Sequence, residues 1–207
     1  MAFGHLNTQL VAGLQSEGVD AVGLNGVDGK LLSGPRKSAV RVKEDGTKKI
    51  KRGDHSGSIT QVNGDLLESL LSDGYTPVAA PPMAGEESES RDNGAIIPVN
   101  TDADRSAAAI AAELDATLVL LTDVAGVYAD PDDPDTLIES VETPADWDAL
   151  EAAAEGFMSR KIMAAEEALD GGSPEVVVAD ANADEPILSA LSDDGTHIKA
   201  NAIPDEQ

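Results

Sequence analysis

Segments with apolar residues at helical spacing alternate along this chain with shorter, mainly apolar segments. Together they predict a succession of helices and strands. Four segments carry apolar residues at helical spacing: 7–17, 63–73, 145–155 and 158–169. Four shorter segments are mainly apolar and lack the alternation of a half-exposed strand: 21–24, 77–80, 117–121 and 175–178. A short helix near Ile187 and an edge strand over 195–199 complete the series. We therefore expect one domain over 1–207, an α/β fold of the three-layer αβα sandwich type with a mostly parallel central sheet.

Polar residues lie at one helix start and at the end of the strand that follows it. Thr101 and Asp102 are both suited to cap the alanine-rich helix expected over 103–112, because short polar side chains can accept from its first free N–H groups. Asn100 and Asp104 lie beside them. Thr122 and Asp123 come directly after the apolar strand. Parallel sheets bind ligands beyond the carboxyl ends of their strands, so both positions are candidates for ligand contact.

Residues 25–62 are expected to form an exposed β-hairpin region, with a polar, glycine-containing turn over 44–47. Further along, Pro81 and Pro82 are expected to close a strand. The following segment, 85–93, has almost nothing apolar to bury and is expected to be an exposed loop.

The net charge of the chain is extreme. Its 207 residues include 14 Lys and Arg against 39 Asp and Glu, which gives a net charge of −25. Nucleic acid and anionic membranes would repel such a surface, so we expect neither as the main partner. An excess of carboxylates is typical of a surface adapted to salt, which screens their repulsion.

The basic residues are concentrated in the hairpin region, with nine of them and only two acidic residues over 30–52. One interpretation is a strand edge that lysines protect against self-pairing. The other is a docking surface for an acidic partner, because complementary charge speeds encounter and fixes orientation. The candidate docking residues are Arg36, Lys37, Lys48, Lys49, Lys51 and Arg52.

The composition does not indicate a metal site formed by protein side chains. The chain has no cysteine, which excludes disulfides and thiolate sites, and its three histidines form no ligand pair by spacing. The sequence lacks a charged start followed by a long apolar run, and no stretch approaches about 18 apolar residues. The expected location is the cytoplasm.

Four motifs, in order, resemble those of the amino-acid kinases of the acetylglutamate kinase type. They are GLNGVDGK at 23–30, NTDAD at 100–104, LLTDVAGV at 120–127 and GFMSRK at 156–161. The likeness covers nearly all of the chain and is closest to the LysW-aminoadipate/LysW-glutamate kinases.

The resemblance implies that ATP, carrying Mg²⁺, phosphorylates a carboxylate to an acyl phosphate. The attacking carboxylate is already ionised near neutral pH, so the reaction needs no general base. It needs positioning, and cancellation of the negative charge on the two anions brought together.

The resemblance also implies roles for individual residues. Lys161 would lie beside the transferring phosphoryl group, Asp104 would organise the catalytic lysines, and Asn100 would hold the substrate's α-substituent. From the sequence alone, the alternatives are a surface lysine for Lys161, a helix-start carboxylate for Asp104 and a capping or turn role for Asn100. Adenine and ribose would be held by Thr122, Asp123, Val127, Tyr128 and Met158, although Val127 and Tyr128 also suit core packing.

In the resembled family a small acidic carrier protein holds the substrate on its carboxyl terminus. The implied partner is therefore a LysW-like carrier docked on the basic hairpin, and we also expect a homodimer. The runner-up is a kinase of free N-acetylglutamate, followed by a noncatalytic remnant that binds nucleotide or partner only. One methylene in a pocket is worth only about 1–3 kcal/mol, so no motif separates glutamate from aminoadipate.

Two glycine motifs of that family, a strand ending Lys-x-Gly-Gly and a later His-Gly-Gly, do not occur in 1–207. In the family they bring the backbone N–H groups that cradle phosphates, together with a second catalytic lysine and a substrate-binding arginine. We favour a start assigned at an internal methionine over a fragment as the explanation.

Overall fold

The computed structural model describes residues 2–44, 47–87 and 95–204, with side chains for 4–37, 55–87 and 95–204. The chain divides into two compact units, Met1–Ser106 and Ala107–Gln207, which are described separately below.

The described residues of the first unit form two α-helices and six strands. The helices are α1 (Ala2–Ser16) and α2 (Gly64–Ser72), and a third, α3 (Ala103–Glu113), begins at its end. The strands are β1 (Ala21–Gly26), β2 (Leu32–Glu44), β3 (Thr47–Gly57), β4 (Gln61–Val62), β5 (Thr76–Glu86) and β6 (Ile96–Val99). Helix α1 begins at Ala2, five residues before the predicted start.

Strand β5 is the centre of this sheet. It pairs in parallel with β1 and β2 and antiparallel with β6, while β2 pairs antiparallel with β3 and β4. Met83 and Ala84 of β5, with Val99 of β6 and Leu32 of β2, are at most 1% exposed. The core of the first unit therefore lies around the second half of β5.

The expectation that Pro81 and Pro82 close a strand is wrong, because β5 continues to Glu86. Asn25 pairs with Ala80 and Gly26 with Met83, so the two prolines fall in a bulge, where no ladder N–H is required of them. The expectation of an exposed loop over 85–93 is also wrong for its first residues, because Gly85 is a buried residue of β5. Residues 88–93 lie outside the described part of the chain.

The predicted hairpin is present as the antiparallel pair β2–β3. Its backbone register places Lys43 opposite Lys48 and Ala39 opposite Arg52, and the pairing shifts between Lys37 and Ala39. The tip of the predicted turn, 45–46, lies outside the described residues.

In the part of the second unit that the structure describes, the rest of α3 is followed by three further α-helices and four strands. The helices are α4 (Pro144–Ala153), α5 (Phe157–Asp170) and α6 (Pro186–Ser192). The strands are β7 (Leu118–Thr122), β8 (Ser140–Val141), β9 (Glu175–Asp180) and β10 (Thr196–Lys199), in the spatial order β7-β9-β10-β8.

This sheet is covered on both faces, as its unbroken apolar strands predict. Alternate residues of β7 and β9, including Leu120 and Val178, pack into a core with Trp147 and Leu150 of α4 and the small residues of α5. The intervening residues pack on the opposite face against Ala190 of α6. The α/β class and the layered arrangement are thus confirmed.

The sheets are mixed rather than mostly parallel. In the second unit β7–β9 and β10–β8 are parallel, whereas β9–β10 is antiparallel. None of the helices described combines the length and the apolar character needed to cross a membrane.

One charged cluster ties β9 to β10. The Glu175 Oε1 atom lies 2.6 Å from Lys199 Nζ and 2.8 Å from His197 Nδ1. Burial by itself raises the pKa of Glu175, but the hydrogen bonds from Lys199 and His197 outweigh that effect and hold the pKa below its ordinary value.

Candidate functional site

A cavity of about 440 Å³ opens at the carboxyl end of β7 in the second unit. We call it the β7–α5 cavity, after the two elements that border it. Six of the residues assigned to nucleotide binding or catalysis from the sequence line it: Thr122, Asp123, Val127, Tyr128, Met158 and Lys161. They are separated by up to 39 positions in the chain, and the fold of this unit brings them together.

The loop after β7 supplies the polar edge of the cavity. The Ala181 N–H donates to the Thr122 carbonyl at 2.7 Å, which fixes the end of β7 against the end of β9. The Thr122 hydroxyl donates to Asp123 Oδ1 at 3.1 Å. The exposed Asp123 carboxylate keeps further acceptor capacity, which suits ligand hydroxyl groups.

Val127 anchors the same loop to the core. Its side chain is 2% exposed, and its N–H donates at 2.8 Å to the hydroxyl of the fully buried Thr196. A Cβ added at Gly126 would lie 2.6 Å from that hydroxyl, so only glycine allows β10 to approach this closely. The alternative of core packing for Val127 is therefore correct, and the residue serves as both core and cavity floor.

The other wall of the cavity is the start of α5. Gly156 precedes the helix with φ +58° and ψ −117°, a backbone conformation that side-chain-bearing residues rarely adopt. Phe157 and Met158 follow in the first turn, and the half-buried Lys161 lies one turn later. The free N–H groups and dipole of a helix start favour anions, and Lys161 adds a positive charge on the same cavity.

The lining as a whole combines an apolar interior with a few charged groups. Val124, Ala153 and Pro131 complete the apolar surface, while Asp123, Glu155 and Lys161 carry the charges. Such a cavity suits a ligand with a flat apolar part and a polar or charged part.

Asn100 and Asp104 belong to the first unit, at the junction of β6 and α3. Asn100 is exposed, and its backbone is held by its own N–H donating to His55 O at 2.6 Å and by Gly57 N–H donating to its carbonyl at 3.0 Å. Asp102 caps α3 as predicted, with Oδ1 accepting from the Arg105 N–H at 3.2 Å. Asp104 lies half-buried in the first turn.

The sequence-based hypothesis joined Asn100, Asp104 and Lys161 in one site. The first two lie in the first unit and the third in the second, so their convergence stays a prediction.

The candidate docking residues are described only in part. Arg36 is half-buried and forms an ion pair with Glu87, so part of its charge is offset within the unit. Lys37 is exposed. The side chains of Lys48, Lys49, Lys51 and Arg52 lie outside the described residues.

Sequence reasoning missed a second cavity, in the first unit, of about 590 Å³. Its lining includes Asn7, Asn25 and Asp28, and the Asn25 amide donates to Asp28 Oδ2 at 2.6 Å. It also missed Val124 and Phe157 in the β7–α5 cavity. The signal in the sequence that could have drawn attention to Phe157 was its rarity, because only 2% of the residues are aromatic and this one lies within the GFMSRK motif.

Comparisons with known proteins relate the chain to a single family. The profile described as "Amino acid kinase family" matches residues 1–180. The chain is 43% identical over 199 residues to the [LysW]-aminoadipate kinase of Thermus thermophilus, covering 95% of this chain and 71% of that protein. It is also 43% identical over 195 residues to the [LysW]-aminoadipate kinase of Deinococcus radiodurans, covering 93% and 63%.

A third relative carries a different name. The acetylglutamate kinase of Methanopyrus kandleri is 45% identical over 177 residues, covering 84% of this chain and 67% of that protein. Among solved structures, isopentenyl phosphate kinase aligns with a TM-score of 0.60 at 21% identity, covering 95% of this chain and 66% of that one, which indicates a shared fold. The chain spans 63–71% of the length of the three relatives.

Proposed function

Because the chain belongs to the amino acid kinase family, we propose that it transfers the γ-phosphoryl group of ATP to the side-chain carboxylate of carrier-bound aminoadipate or glutamate. The reaction would give an acyl phosphate in lysine or arginine biosynthesis, in the cytoplasm. The observation that carries the proposal is the β7–α5 cavity, whose lining contains six residues assigned to the nucleotide and to catalysis.

The chemistry of the lining fits ATP. The apolar surface from Val124, Pro131 and Met158 suits the adenine, and Asp123 can accept hydrogen bonds from ribose hydroxyls. Lys161 and the start of α5 supply positive charge for the phosphates. These groups extend from a strand end, a loop and a helix start, so the fold of the unit sets the backbone positions from which they would meet a ligand.

Mg²⁺ would be carried mainly by the nucleotide. Among the described residues, no group of three or more His, Cys, Asp or Glu side chains is placed to hold a metal ion. Mg²⁺ commonly binds through substrate phosphates and water with one or two carboxylates. Its role would be to neutralise charge on the phosphate oxygens.

In this proposal Lys161 stabilises the charge that develops on the transferring phosphoryl group. Asn100 orients the substrate, and Asp104 organises the cationic groups around the phosphates. The support for Asn100 is its fixed backbone, since hydrogen bonds to His55 and Gly57 hold both of its main-chain polar groups.

The basic hairpin would dock the carrier. Residues 30–52 contain nine of the 14 Lys and Arg of the chain, and two of the relatives carry LysW in their names. An acidic carrier would be steered to this region at low salt and less so at high salt.

The test is trapping of the acyl phosphate with hydroxylamine, using carrier-bound aminoadipate, carrier-bound glutamate and free N-acetylglutamate as substrates. We expect turnover of a carrier-bound substrate, and a fall in kcat/KM when Lys48, Lys49, Lys51 and Arg52 are all changed to Glu. The matched control exchanges Lys and Arg at the same four positions, which keeps the charge. Absence of acyl phosphate with all three substrates would contradict the proposal and favour a noncatalytic, nucleotide-binding protein.

The second candidate is N-acetylglutamate kinase activity on the free amino acid, favoured by the 45% identity to the Methanopyrus kandleri acetylglutamate kinase. The charge reversal separates the two, because it should leave a small free substrate unaffected while impairing a protein-borne one.

We propose that the chain forms a homodimer through α1. This helix has no Asp, Glu, Lys or Arg, and its Leu6 and Leu10 are 61% and 54% exposed. Two chains of net charge −25 repel each other, so an uncharged surface is the favourable place for them to meet. Light scattering should give a dimer for wild type and a monomer for Leu6→Ser/Leu10→Ser, with Leu71→Ser as the exposed control. A dimer that survives the double change would exclude α1 as the interface.

A further inference from the structure

Phe157 is the most exposed of the large apolar side chains in the described part of the chain, at 83%. It is the first residue of α5 and does not belong to the core formed by the rest of that helix. An aromatic side chain usually contributes a large buried area, so folding of the unit does not explain this one. The ring is available to cover a ligand.

The ring lies on the β7–α5 cavity, where a second apolar side chain is also exposed. Val124, in the loop after β7, is 39% exposed and lines the same cavity. Two apolar side chains from separate elements therefore border one open space. A ligand that covers both must present an apolar surface to them, as the face of a heteroaromatic base does.

The spacing along α5 links this apolar wall to positive charge. Phe157 and Lys161 are four residues apart, which places them on the same face of a helix, and both line the cavity. The guanidinium carbon of Arg160 lies 6.0 Å from the Phe157 ring centroid, within the range of a cation–π contact. That contact restrains the ring at the edge of the cavity while Lys161 serves the charged part of the ligand.

We infer that Phe157 stacks on the nucleobase and sets a preference for purine over pyrimidine nucleotides. The inference rests on the proposed function, since it requires that the β7–α5 cavity hold the nucleotide. Every base offers a π face, but a purine covers more of the ring and of Val124 than a pyrimidine does. Phe157 would thus be a residue that determines base preference, with no part in the phosphoryl transfer itself.

Calorimetric titration with MgATP, MgGTP, MgCTP and MgUTP tests the inference in the full chain. Base–aromatic stacking contributes enough that Phe157→Leu should weaken MgATP binding about tenfold. The same variant should move the ratio of ATP to UTP affinity toward one, whereas Phe157→Trp should keep it. Ile187→Ala is the matched control, because Ile187 is 56% exposed and does not line the cavity.

A fluorescence measurement gives an independent result. Trp147 is 2% exposed, so in Phe157→Trp a nucleotide-dependent change in the solvent-exposed emission reports on position 157. We expect MgATP to quench that emission. If Phe157→Leu does not fold, this measurement still tests whether the side chain at position 157 contacts the nucleotide.

The outcomes separate the two proposals. Wild-type affinity for MgATP in Phe157→Leu, or equal weakening of all four nucleotides, would overturn the stacking inference and leave the nucleotide site in place. Failure of the wild-type chain to bind any of the four would instead overturn the proposed function.

Discussion

Replacing Thr196 by valine removes the hydroxyl that holds the loop of the β7–α5 cavity. Thr196 is fully buried, and its Oγ1 accepts from the Val127 N–H at 2.8 Å. Valine has nearly the same shape, so the main change is a buried backbone N–H without its acceptor. A buried donor without an acceptor lowers the free energy of unfolding by about 1–3 kcal/mol.

The expected result is a lower free energy of unfolding by that amount. For a chain of this size, each kcal/mol corresponds to a shift in Tm of about 2–4 °C. Urea unfolding followed by circular dichroism measures the first quantity, and calorimetry the second. Because the same N–H anchors the cavity loop, we expect nucleotide affinity to fall as well.

Two further variants identify the hydroxyl as the cause. Thr196→Ser keeps the oxygen and removes one buried methyl group, which should cost about 0.8 kcal/mol. Thr8→Val removes an exposed hydroxyl that donates to Gly4 O within α1, and should change stability by less than about 0.5 kcal/mol. If Thr196→Val were as stable as Thr8→Val, the hydrogen bond to Val127 would not be what holds this loop.

Three other predictions follow from single contacts. Gly126→Ala places a Cβ 2.6 Å from the Thr196 hydroxyl, and overpacking of this kind should lower the free energy of unfolding in urea by about 1–3 kcal/mol. Because the pKa of Glu175 is lower in the folded state, its contribution to stability is present above its unfolded pKa and lost as the pH falls through the folded value. Lys199→Met should therefore reduce the loss of stability between about pH 6 and pH 3 in chemical unfolding. Lys161→Met should lower kcat for acyl-phosphate formation by about 10²–10³, as expected for removal of one group that stabilises the transition state.

Matched controls accompany these three changes. Gly4→Ala adds a Cβ to α1 with nothing within 4 Å and lies away from the face that carries Leu6 and Leu10, so it should be neutral or stabilising. Glu175→Gln should remove the whole pH-dependent contribution of this carboxylate, whereas Lys199→Met should leave the part that comes from His197. Lys161→Arg keeps the charge and should retain more turnover than Lys161→Met; equal loss in both would indicate that charge is not what Lys161 contributes.

Helices and strands with a buried apolar stripe could be read from the sequence. The predicted helix 158–169 and strand 175–178 correspond to α5 and β9 within two residues at each end, because Ile162, Leu169 and the valines of β9 are buried by the packing that their spacing predicts. The Asp102 cap was predictable for a local reason, since its acceptor lies three residues from the N–H that it binds.

Features that depend on contacts distant in sequence could not be predicted in this way. Thr196 and Val127 are 69 positions apart, and no local pattern marks Thr196 as the acceptor for a loop N–H. The continuation of β5 through two prolines depends on a bulge opposite Asn25 and Gly26, which is a property of the pairing and not of the β5 sequence. The exposure of Phe157 likewise becomes visible only once α5 is packed.

The most direct test of the account is a crystal structure of the chain with a non-hydrolysable ATP analogue and Mg²⁺. We predict that the analogue occupies the β7–α5 cavity, with Lys161 Nζ at hydrogen-bonding distance, roughly 2.7–3.2 Å, from a phosphate oxygen and the adenine against Phe157. An analogue bound elsewhere on the chain, or bound in this cavity with its phosphates turned away from Lys161, would contradict the assignment.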